Sequence, residues 1–96
     1  MDREILRRHF SALLMNTDED NLMECNITLE DGAMGLSTLQ MPQVIGAFQD
    51  PKEGIILFQI YGCDDDVDFD DMAENDLINI LNTLKNQYRI ETIVID

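Results

Sequence analysis

Residues 54–76 read GIILFQIYGCDDDVDFDDMAEND, and the contrast inside this stretch decides the fold. Its first part, Ile55 to Tyr61, is an apolar run of strand length. Such a run, nearly without polar interruption, predicts a strand central in a sheet and covered at least in part on both faces. The second part, Asp64 to Asp76, holds eight acids and no base. Overlapping its end, from about Met72, Ala73, Leu77, Ile80, Leu81, Leu84 and Tyr88 recur at helical spacing. A strand and a helix that must both pack are therefore joined by the most charged segment of the chain. Each carboxylate there repels its neighbours unless solvent, a cation or a basic partner relieves it.

Working outward, Asp71 with Glu74 predicts a capping-box-like helix start, and Lys85 and Arg89 suit the helix end. Residues 90–95 (IETIVI) read as a short last strand. A crossover through the helix would set it parallel to the 55–61 strand if the two share a sheet. Upstream, Asp50-Pro51-Lys52-Glu53-Gly54 is a turn, with proline presetting φ early and glycine supplying positive φ late. Residues 43–49 (QVIGAFQ) predict a strand before it. Residues 22–30 alternate, with Met23, Cys25, Ile27 and Leu29 on one side and Glu24, Asn26, Thr28 and Glu30 on the other. That is a strand with one wet face. Asp31-Gly32 signals a hairpin turn into a further strand over residues 34–40. At the start, Leu6, Phe10, Leu13 and Leu14 form the stripe of an amphipathic helix over residues 3–15, with Arg3, Arg7, Arg8 and Ser11 opposite. NTDEDN (16–21) is a polar break.

The order is α-β-β-β-β-α-β over one domain, 1–96. It predicts an α+β two-layer sandwich, a mostly antiparallel sheet with two helices on one face. A chain of 96 residues buries about two-thirds of its unfolded surface, which leaves little room for a deep catalytic cavity.

The net charge is −14. After residue 8, eighteen acids face only Lys52, Lys85 and Arg89. Charge of this sign repels nucleic acid and anionic membranes and attracts basic surfaces. Direct nucleic-acid binding is excluded on this ground. No run approaches the length of a membrane span or of a signal-peptide core, so a cytoplasmic protein is expected. Cys25 and Cys63 have no metal-ligand or redox-motif spacing, and both are expected as free thiols.

The acidic run is not a calcium loop of the EF-hand type. That loop needs Gly at position six and Glu at position twelve. Counting from Asp64 gives Phe69 and Asn75, and counting from Asp66 gives Asp71 and Leu77. No metal and no cofactor is expected. His9, the single histidine, has no nucleophile placed beside it by sequence, and no phosphate-binding glycine motif occurs. The chain is expected not to be an enzyme.

What remains is a protein-binding role carried by Asp64, Asp65, Asp66, Asp68, Phe69, Asp70, Asp71, Glu74 and Asp76, with Phe69 as an aromatic anchor or a core residue. The expected partner is a basic protein surface. The logic is that of phage-encoded inhibitors and of immunity proteins against nucleases, where carboxylates stand in for nucleic-acid phosphates. An alternative is a chaperone or adaptor. In size, charge and element order the chain resembles the small acidic α+β dimers of type III secretion chaperones, in architecture only and with no shared motif. That resemblance implies a homodimer and an apolar client segment.

Overall fold

The computed structural model describes residues 2–29 and 43–89. The fold is α+β, with two α-helices and a four-stranded antiparallel sheet among the described residues. Helix α1 (Arg3–Leu14) is followed by β1 (Met23–Thr28), β2 (Gln43–Gln49), β3 (Ile56–Ile60) and β4 (Val67–Asp68). A 3-10 turn (Phe69–Asp71) and helix α2 (Glu74–Gln87) complete the described chain. The sheet order follows the sequence, β1-β2-β3-β4. The expected Asp31-Gly32 turn, the 34–40 strand and the 90–95 strand lie outside the described residues.

Helix α1 begins where Asp2 accepts a hydrogen bond from the Glu4 amide at 2.8 Å. It buries Leu6, Phe10 and Leu14, spaced one turn apart. Each such side chain contributes about 1.5–3 kcal/mol by leaving water. Helix α2 buries Leu77, Ile80, Leu81 and Leu84 on its own stripe. These residues join Ile56, Phe58 and Ile60, the side of β3 that alternation turns inward, in one core with Val44, Ala47 and Cys25. The opposite side of β3 carries half-buried Leu57 and exposed Gln59. The strand is interior to the sheet, as its apolar run predicts, and its second face is only partly covered.

The alternation of β1 holds, with Cys25 buried and Glu24, Asn26 and Thr28 exposed. Its register against β2 shifts between Glu24 and Ile27. Asn26 sits there at φ 52°, a left-handed conformation that asparagine tolerates better than most residues. The Asp50–Gly54 turn forms as its sequence predicts. Gly54 has φ 70° and donates its amide to the Asp50 carbonyl at 2.8 Å. The Asp50 carboxylate accepts from the Lys52 amide at 2.8 Å.

The capping box is corrected. Helix α2 starts at Glu74, and its N-cap is Ala73, whose side chain makes no cap hydrogen bond. The reason lies just upstream. Phe69 and Met72 are both buried, so the chain is pulled into the core through a 3-10 turn before the helix can begin. Met72 leaves that turn in an extended conformation, donating its amide to the Phe69 carbonyl at 3.1 Å. Asp71 is thereby placed inside the 3-10 turn and not at the helix cap.

His9 lies against α2, with Nδ1 3.4 Å from the Lys85 ammonium. Burial, and then the lysine charge, push its pKa below the usual 6.5. The unfolded chain therefore binds more protons than the folded one between the folded value and 6.5. Stability from the neutral ring is present above that window and is lost as pH falls through it. Wild type is expected to lose denaturant resistance relative to His9→Gln as pH drops below about 6.5. A difference between the two proteins that stays constant with pH would contradict this.

Candidate functional site

The acidic segment divides into a part that the fold uses and a part that it leaves outside. Phe69 is the pivot of the first part. Its ring is wholly buried and meets Phe10 edge-on at 5.8 Å between centroids. Phe10 in turn meets Phe58 edge-on at 5.6 Å, which ties the turn to α1 and β3. Arg7 and Arg3 lie over the same ring, 4.7 and 5.4 Å from its centroid.

The Arg3 guanidinium then caps the 3-10 turn. It donates to the carbonyls of Met72 at 2.9 Å, Phe69 at 3.0 Å and Asp70 at 3.4 Å. Arg7 forms an ion pair with Asp70 and a longer one, 3.9 Å, with Glu4. Asp68 caps the start of the turn by accepting from the Asp70 amide at 3.0 Å. Two arginines from α1 thus hold the backbone and one carboxylate of a segment more than sixty residues away. The fork of a guanidinium reaches three carbonyls where an ammonium would reach one or two. Arg3→Met is expected to cost about 1–2 kcal/mol in urea unfolding, and Arg3→Lys to restore less than half of it. Full restoration by lysine would mean that charge alone, and not the fork, holds the turn.

Two of the expected contact residues are corrected by burial. Phe69 is 0% exposed, and its ring is spent on Phe10, Arg3 and Arg7, so it is a core residue and not a partner anchor. Asp76 is 2% exposed in the first turn of α2, so its carboxylate is not on offer at the surface. Glu74 is half-buried beside it, and Asp70 is exposed but already paired with Arg7. Asp68 is half-buried at the cap and in register with Leu57.

Asp64, Asp65, Asp66 and Asp71 are exposed. The first three follow the end of β3, where Gly62 turns the chain at φ 84° and the Cys63 amide donates to the Ile60 carbonyl at 3.1 Å. Beside them stands Tyr61, 74% exposed, the most exposed large apolar side chain among the described residues. A run that is nearly all apolar from 55 to 61 does not by itself single it out. Strand alternation carries the signal: with Ile56, Phe58 and Ile60 inward, Tyr61 must face out.

A second acidic element was also missed. The NTDEDN break is a turn built on Asp18, whose Oδ1 accepts from the amides of Asp20 and Asn21, each at 3.0 Å. It leaves Glu19 and Asp20 exposed. These acids and Asp66, distant in sequence, line one groove of about 450 Å³ whose apolar residues are Phe48, Pro51 and Leu57. Phe48 and Leu57 face each other across the β2–β3 pair. Gly46 lies on the same side, and Leu22 sits so close above it that a Cβ there would come within 2.4 Å of the leucine side chain. The entry of the chain into β1 is thus packed directly on this sheet face.

The two thiols are free, Cys25 buried and Cys63 half-buried. Burial pushes the Cys25 thiol up to about 11, which keeps it protonated and unreactive at neutral pH. Among the described residues no group of three or more His, Cys, Asp or Glu side chains converges in a way that could hold a metal ion. No helix among them is long and apolar enough to cross a membrane. No protein-family model, curated protein or solved structure matches the chain.

Proposed function

We propose that this is a small acidic, non-enzymatic binding protein that occupies a basic surface of a protein partner in the cytoplasm, as an inhibitor or immunity-type protein does, with carboxylates standing in for nucleic-acid phosphates. The observation that carries this reading is the division of the acidic segment. Asp68 and Asp70 serve the turn, whereas Asp64, Asp65, Asp66 and Asp71 stand exposed beside exposed Tyr61. A run of like charges that the fold does not use raises self-repulsion, and a basic partner relieves it. Tyrosine in such a place offers an amphipathic ring suited to the centre of an interface.

The test is capture of partners from a lysate of cells that make this protein, at low and high salt. Wild type is compared with a variant carrying Asn at positions 64, 65, 66 and 71. The expected result is a partner of basic isoelectric point, held by wild type at low salt and lost both at high salt and with the variant. A partner held equally by both proteins at both salts would place the contact on an apolar face and favour the adaptor alternative. That alternative needs a contiguous apolar patch. Among the described residues, the large exposed apolar side chains, Met15, Tyr61 and Tyr88, sit at the ends of three different elements, and the Tyr88 hydroxyl already accepts from the Glu24 amide.

A further inference from the structure

We infer that the groove between the Asp18–Asp20 turn and Asp66 receives an arginine side chain of the basic partner. This inference rests on the acidic-surface function and adds to it the chemistry of one contact.

The groove combines two features that an extended, weakly hydrated cation uses better than a compact ammonium or a metal ion does. Its apolar side is formed by Leu57, half-buried, and Pro51, exposed, with Phe48 packed beneath. Its rim carries five acids, Asp18, Glu19, Asp20, Asp50 and Asp66, against the single base Lys52. Two of those acids are turned to the chain's own use. Asp18 accepts from amides of its turn, and Asp50 accepts from the Lys52 amide. Glu19, Asp20 and Asp66 are left as exposed acceptors from two separate segments. The volume of about 450 Å³ is in the range of grooves that seat a side chain or small ligand.

Among the described residues these carboxylates do not converge as a metal site would require. Acceptors that are spread out, on walls that are partly apolar, suit a cation that is itself extended. A guanidinium is planar, carries five donors and is weakly hydrated, so it can lie along an apolar wall and still reach separate carboxylates. The aliphatic stem of arginine covers the Leu57 and Pro51 surface as it enters. An ammonium is compact and strongly hydrated, and gains less from the same walls.

The probes are hexa-arginine and hexa-lysine peptides, titrated at low salt into isotope-labelled full-length protein and followed by amide chemical shifts. Hexa-arginine is expected to shift Phe48, Leu57, Asp20 and Asp66 and to bind more tightly than hexa-lysine. The double variant Glu19→Gln, Asp20→Asn is expected to weaken hexa-arginine binding about fivefold and hexa-lysine binding by clearly less. Neither residue holds the turn through its side chain among the contacts described, so the variant should keep the wild-type spectrum elsewhere. Shifts confined to Tyr61, Asp64, Asp65 and Asp71, with equal affinity for the two peptides, would overturn the arginine groove while leaving the acidic-surface function standing. No binding of either peptide at low salt would overturn both.

Discussion

Phe69→Ala is expected to lower the unfolding free energy by about 3–5 kcal/mol, measured as a fall in the urea midpoint. The ring is 0% exposed, so its full transfer energy is lost, and a cavity opens between α1 and the β3–β4 edge. The edge-on contact with Phe10 goes with it, worth about 0.5–1.5 kcal/mol beyond burial. Arg3 and Arg7 lose the face over which they lie, which loosens the carbonyl and Asp70 contacts that hold the turn. For a domain whose total stability is about 5–15 kcal/mol, this is a large share. Phe69→Leu should recover part of the loss, because most of the volume returns while the aromatic contacts do not. A loss below about 1 kcal/mol for the alanine variant would mean that the ring is not packed as described.

The second large effect is on binding. Asn at positions 64, 65, 66 and 71 together should weaken the captured partner's affinity about thirtyfold at low salt. That corresponds to roughly 2 kcal/mol for four exposed charges at about 0.5 kcal/mol each. The same variant should unfold at the same denaturant concentration as wild type or a higher one. The four acids make no hydrogen bond or ion pair among those described, and removing them lowers self-repulsion in a chain of net charge −14. The pair of results separates the two halves of one segment, with Phe69 governing stability and its exposed acidic neighbours governing affinity. A large stability loss in the four-acid variant would show that these carboxylates are structural.

Much of the frame was legible from periodicity. The stripe of Leu6, Phe10 and Leu14, the alternation around Cys25 and the Asp50–Gly54 turn each carry a local signal strong enough to survive packing. The acidic segment was misread because its charge hides its packing. Val67 and Asp68 form a short strand against Leu57 and Phe58, and Phe69 and Met72 enter the core, all within a run that reads as solvated. Asp71 with Glu74 looks like a cap, yet burial of the two apolar residues moves the helix start past it. The candidate site was half legible. Asp64, Asp65 and Asp66 are where their charge suggests, but which carboxylates are already used depends on Arg3 and Arg7, contacts that no local pattern encodes. The same holds for Glu19 and Asp20, which line one groove with Asp66 although they are distant in sequence.

The most direct test of the acidic surface is the slope of log Kd against log salt concentration for the captured partner, measured with wild type and with the four-acid variant. A steep loss of affinity with salt in wild type, clearly reduced in the variant, is the predicted result. A shallow slope, equal in the two proteins, would contradict it and place the binding energy elsewhere on the molecule.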